Sequence, residues 1–182
     1  ISMKYLKKMI SISYFFEDNE NAKEAKNIAR KNNLELVEKD VSDFVSPKVK
    51  DLFARNQSRE IWEEHRVWAE QNMQYLAEEV QVRLAYCKKV FADDKSIIEE
   101  DEELYKQYCQ KMDAFIGVDS VLCLPILATS GPNLDMSDEA SAVFRGNTFI
   151  NIGPSSTTGF PELSAPISGG SSNIGLMGPK FS

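Results

Sequence analysis

The stretch Phe144-Arg-Gly-Asn-Thr-Phe-Ile-Asn-Ile-Gly-Pro-Ser-Ser-Thr-Thr-Gly-Phe-Pro-Glu-Leu-Ser-Ala-Pro-Ile167, followed shortly by Ile174-Gly-Leu-Met-Gly-Pro179, decides how the chain folds. A short helix is expected from about Asp138 to Ile150, running towards Pro154 and a turn of small residues. Leu163–Ile167 and Ile174–Met177 are strand-sized apolar runs bounded by Gly and Pro. The Ser168-Gly-Gly-Ser-Ser172 segment between them reads as a turn. Upstream, Val121-Leu-Cys-Leu124 is wholly apolar and stops at Pro125, the pattern of a buried central strand. All three strands look apolar enough to need cover on both faces, and the helices in hand look sufficient for about one.

Working towards the N-terminus, residues 9–41 read as a β-α-β unit. Ile10, Ile12 and Tyr14 alternate with Ser11 and Ser13 in a first strand. Asn19 is placed to cap a helix whose Ala22, Ala25, Ile28 and Ala29 share one face, and Lys31-Asn-Asn33 stops it. Leu34–Glu38 alternates again, so a right-handed parallel crossover is expected. Residues 46–117 read as a helical insert opening at Ser46-Pro47, where Pro loses nothing at the first helical position. One helix carries Ile61, Trp62, Val67 and Trp68. A second carries the stripe Leu76, Val80, Leu84, Cys87 and Phe91, and a third Leu104, Tyr108, Met112 and Phe115. The acidic run Glu99–Glu103 is expected to form the solvated first turn of that third helix. With 118–182 supplying the later strands and loops, the expected fold class is α/β, a mixed sheet with surrounding helices in a single unit over 1–182.

Composition narrows the function. At 182 residues and 42% apolar, the chain suits a globular domain with a buried core. A net charge of −7 argues against nucleic acid and anionic membranes, which reward clustered Lys and Arg; Lys4, Lys7 and Lys8 are too few to alter that. No apolar run nears the roughly 20 residues of a membrane span, and Met9–Phe16 lacks the length and cleavage site of a signal peptide. Cys87, Cys109 and Cys123 form no CxxC pair, which suits a reducing compartment, the cytoplasm or an organelle matrix. His65 is the only histidine, and its setting in Trp62-Glu-Glu-His65 is that of a helix surface. No metal site and no cofactor is expected.

The order of elements around Pro154 and Pro161, with the Gly175-Leu-Met-Gly-Pro179 strand, resembles the C-terminal part of the amidase signature family. Residues 144–179 carry the resemblance most specifically, and Asp119–Pro132 carries it less so. Arg59-Glu-Ile-Trp-Glu-Glu-His65 is similar to helices of the plant amidase branch. The resemblance implies hydrolysis of C–N amide bonds by a serine nucleophile, a bridging serine and a lysine base. It also implies that these groups, with a Gly-Ser-rich loop, belong to an N-terminal half outside these residues. No catalytic residue is therefore assigned here. Gly169-Gly-Ser-Ser172 looks like the start of that loop but runs into the last strand, so Ser171 and Ser172 receive no role.

What the resemblance leaves to this chain is pocket wall: Thr129, Asn147, Thr148, Phe149 and Ile152. Glutamine-using members carry an acid five positions before the helix proline, where this chain has Phe149, which implies an apolar or aromatic acyl group; packing of Phe149 in the core is the competing expectation. Both ends look truncated relative to the family. The expected partner is an N-terminal amidase-like half or another protein subunit, acting on a small amide. The alternative is a non-catalytic amidase-like scaffold or assembly subunit.

Overall fold

The structure, a computed structural model, describes residues 6–12, 19–127, 131–132, 135–167 and 173–180. The chain forms two compact units, residues 1–49 with 108–182, and residues 50–107. The second lies inside the stretch read as a helical insert.

In the first unit, β1 (Lys8–Ser11) leads to α1 (Glu20–Lys31) and β2 (Glu35–Glu38). Asn19 caps α1, its side chain accepting from Ala22 N at 2.8 Å. The Asn pair ends it, with Asn33 in the left-handed region at φ 53°, a conformation Asn tolerates better than most residues. β3 (Ser120–Pro125), β4 (Glu162–Pro166) and β5 (Asn173–Met177) complete a five-stranded sheet of order β2-β1-β3-β5-β4. β1 pairs parallel with both β2 and β3, whereas β5 runs antiparallel to β3 and β4. The mixed α/β sheet is the expected one.

Alternation along the strands sorts their side chains onto two faces. On one, Met9, Val121, Cys123, Ile174 and Leu176 pack with Ala25 and Ala29 of α1. On the other, Ile10, Leu122, Leu124 and Met177 pack with Val41, Phe44, Tyr108, Met112, Ile116 and Phe160. Both faces of the three central strands are thus covered within this unit, contrary to the expectation of a half-covered sheet. The second cover comes from the 41–49 segment and the last turns of α4 (Lys95–Ile116), the latter belonging to the stretch read as a helical insert. Tyr108 donates its hydroxyl to the Phe44 carbonyl at 3.1 Å, and Phe44 also meets Phe115 at 4.7 Å between ring centroids. Burial pushes the Tyr108 phenol above its ordinary value and the Cys123 thiol up to about 12, so Cys123 is an inert core residue.

β4 departs from expectation in the other direction. Read as an apolar strand needing cover on both faces, it is exposed along most of its length, with Leu163 55% accessible. Its register sets Leu163 beside Leu176, on the α1 side of the sheet. β4 is one of the two outer strands in the order above.

The second unit is helical, with α2 (Pro47–Asn72), a 3₁₀ turn at Met73–Tyr75, α3 (Glu78–Phe91) and the first part of α4. Trp62, Ala69, Leu84 and Cys87 form its apolar core, while Val67, Trp68 and Val80 are exposed. The acidic run does not form a solvated first turn. It lies inside α4, and Asp101 is 3% exposed. Arg55 grips Asp101 with two hydrogen bonds of 2.8 and 2.6 Å, and Arg59 reaches the same carboxylate at 2.8 Å. The Arg55 hydrogen bond holds Asp101 below the usual carboxylate range; burial opposes this and Arg59 assists. The pairing raises Arg55 in turn. A buried acid is stable only with such partners.

Two measurements follow from that pairing. Asp101→Ala leaves Arg55 without its carboxylate and removes one of the acids that Arg59 holds, Asp93 remaining, and should destabilise the helical unit by about 3 kcal/mol in denaturant melts followed by far-ultraviolet dichroism. Because the Asp101 pKa is depressed on folding, its stabilisation is present above the unfolded carboxylate value, near 4, and lost as pH falls through the folded one. The stability gap between wild type and Asp101→Asn should accordingly narrow below about pH 4; a gap independent of pH would show that the carboxylate charge is not what holds α4 to α2.

Candidate functional site

Four of the five residues assigned to a pocket wall lie on α5 (Asp138–Thr158), and Thr129 lies outside the described residues, as do Ser171 and Ser172. The helix begins where Ser137 accepts from Ala140 N at 3.2 Å, with Asp138 and Glu139 in the first turn, where the helix dipole favours acids. It ends at Gly159, whose φ of 66° is readily reached only without a side chain. The expected end near Ile150 is two turns too early. Pro154 sits inside the helix and is buried. Lacking an N–H, Pro154 leaves the Ile150 carbonyl without its usual donor.

Side-chain hydrogen bonds fasten the turns beyond that break. Thr158 Oγ1 donates to the Pro154 carbonyl at 2.7 Å and accepts from Phe160 N at 3.4 Å. Ser155 Oγ lies 3.0 Å from the Ile152 carbonyl and makes a short hydrogen bond to Glu162 Oε2 on β4. Neither the Ser155–Glu162 pair nor the burial of Pro154 was anticipated from sequence. A hydroxyl and a carboxylate seven residues apart across a Gly-x-Pro step carry no periodic signal.

The helix divides the assigned residues between two sides. Thr148 and Ile152 are four residues apart and Phe149 and Ile152 three, so these share a flank. Asn147 is about 160° round the axis from Phe149 at the usual helical pitch. Asn147 instead lines an open depression of about 460 Å³ with Met136, Glu139, Ala140, Val143 and Phe144. Phe149 is 36% exposed, which separates it from the buried core. Thr148 Oγ1 and Thr157 Oγ1 are buried and meet no hydrogen-bond partner among the described residues. His65 is on the surface of α2, and among the described residues no three His, Cys, Asp or Glu side chains group to hold a metal. No described helix is long and apolar enough to cross a membrane.

No protein-family model and no curated protein matches the chain. Solved structures do match. Kluyveromyces lactis allophanate hydrolase superposes with a TM-score of 0.69 and 21% identity, over 97% of this chain and 30% of its own. A bacterial aryl acylamidase belonging to the amidase signature enzymes gives 0.64 and 13% over 96% of this chain and 40% of its own. A structure described as an amidase gives 0.64 and 14%, over 96% and 42%. The chain therefore has the α/β fold of part of the amidase signature enzymes, and spans less than half the length of these relatives.

The exposure of Phe149 makes a stability test of its role possible. Phe149→Ala should cost about 2 kcal/mol or less in equilibrium unfolding, in keeping with its partial burial, against roughly 3–5 kcal/mol for a core phenylalanine. A loss in the upper range would return Phe149 to the core.

Proposed function

We propose that this chain forms the pocket-wall section of an amidase signature hydrolase that cleaves C–N amide bonds. The serine nucleophile, bridging serine and lysine base come from amidase-like sequence outside these residues. The observation that carries the proposal is one of coverage. The fold likeness takes in 96–97% of this chain yet only 30–42% of the enzymes it resembles. A serine hydroxyl is inert until a base activates it, and the oxyanion that follows needs preorganised donors. No such set is assigned within these residues, so the chemistry falls to the complement.

Within that assembly the α5 flank bearing Thr148, Phe149 and Ile152 is the substrate-facing wall. Phe149 offers an exposed aromatic ring where a carboxylate would hold an amine. The substrate class this favours is a small amide with an apolar or aromatic acyl group.

The isolated chain, incubated with a panel of aryl and alkyl amides, should give only the buffer rate; turnover abolished by changing Ser171 or Ser172 would overturn the proposal. In the intact assembly, a complementing segment should carry a serine that is acylated by an activated-serine probe. An assembly without one is a scaffold instead of a hydrolase. Where turnover is present, Phe149→Asp should shift preference from apolar acyl groups to amine-bearing ones, because a carboxylate in the wall needs a cationic partner. Unchanged selectivity would remove Phe149 from the pocket.

A further inference from the structure

The last turns of α5 are weakened at Pro154 and refastened by groups that come partly from the sheet. The Glu162 carboxylate is the link. One of its oxygens accepts from Ser155 Oγ. The other, Oε1, lies closer to the position a β-carbon would take on Gly175 of β5 than the two atoms could approach. Glu162 and Gly175 lie on neighbouring antiparallel strands, Glu162 opposite Met177 and Gly175 opposite Ser164. The Glu162 side chain thus folds diagonally over the strand backbone, and in this seat its carboxylate lies where a side chain at residue 175 would displace it. Nothing in the local conformation of Gly175 requires glycine, since its φ is not among the positive ones. A carboxylate next to the C-terminal turn of a helix is also disfavoured by the dipole, so its presence there calls for a specific partner, which Ser155 supplies.

We propose that Glu162 is a positioning residue, a clamp that seats over Gly175 and holds the final turns of α5 to β4 and β5 through Ser155. Ser155 shares a flank with Thr148 and Ile152, at spacings of seven and three residues, so the clamp fixes the same side of the helix that bears the proposed wall. That consequence rests on the pocket reading above; the clamp itself does not. Its specific requirement is mutual dependence. Gly175 is needed for Glu162, Glu162 for Ser155, and Ser155 for the turn closed by Gly159 N donating to the Ser155 carbonyl at 2.8 Å.

The test is a cycle of Glu162→Ala, Gly175→Ala and the double variant in the full chain, read by amide hydrogen exchange at Gly159 and the preceding turn. Each single change should speed exchange there by about tenfold while leaving β3 amides unaltered, and the double variant should be no faster than the singles. An alanine at 175 also approaches Ile126 Cγ1 at 3.2 Å, a contact present in both backgrounds that cancels in the cycle. Glu162→Gln, which keeps an acceptor for Ser155, should retain most of the protection, and Ser155→Ala should match Glu162→Ala. Additive effects of the two alanines, or no local change from either Glu162→Ala or Ser155→Ala, would overturn the clamp. If Gly175→Ala fails to fold, the Glu162→Ala, Glu162→Gln and Ser155→Ala series decides alone. Amide turnover plays no part in this readout, so a failed hydrolysis assay leaves the clamp standing and a failed clamp leaves the amidase reading to its own test.

Discussion

β3 is bonded to β1 on one edge and to β5 on the other, and its Val121, Leu122, Cys123 and Leu124 are all buried. A strand in that position has no solvent-facing side, so each neighbouring element must supply apolar cover or paired backbone. α1 supplies one face with Ala25 and Ala29, whose small size lets the helix approach closely. The other face needs Val41, Phe44, Met112 and Ile116, drawn from segments far apart in sequence. The turn at Gly159 delivers Phe160 to the same layer. The placement of α5 relative to the sheet follows from these demands, because its C-terminal residues must reach that layer before β4 can begin.

The parts of this arrangement governed by local rules were legible in the sequence. The Asn19 cap, the alternation of β1 and β2, the Pro47 start of α2 and the apolar run of β3 each have a short-range cause. Three features were not legible, and each depends on distant partners. Pro154 reads as a helix stop, yet α5 continues through it because Gly153, Pro154, Thr157 and Thr158 are buried, and because side chains restore the bonding that proline removes. The acidic run reads as solvated, yet Asp101 is turned inward to arginines some forty residues earlier. Leu163–Ile167 reads as a buried strand, yet β4 lies at a sheet margin where Leu163 remains open, and Ile167, just beyond β4, is the residue of that run that reaches the core. The candidate wall was legible as a stretch of sequence but not as a surface, since helical pitch turns Asn147 away from Phe149.

The second unit shows the same division between local and distant causes. Its helices follow from propensity and periodicity, but what selects their pairing is polar. Arg59 alone meets Asn56 at 3.1 Å, Asp93 at 3.3 Å and Asp101 at 2.8 Å, joining α2 to α4 and to the residues after α3. Apolar packing of Trp62 against Leu84 and Cys87 tolerates some sliding. A planar guanidinium with fixed donor directions tolerates little, and sets the register.

The strand order has a consequence for how the chain is made. Ser11 Oγ bonds to the Cys123 carbonyl across a separation of 112 residues, and β1 has its β3 partner only after that whole interval has been synthesised. At ribosomal rates of 5–20 residues per second the wait is about 6–22 s. Of its two described strand partners β1 has β2 alone during that time, and a two-stranded pair is marginal in water. The helical stretch that emerges in between is rich in local contacts, so it folds while the sheet is still open. Within this stretch of sequence the helices therefore form ahead of the sheet, and β1 waits for the strand that completes its pairing.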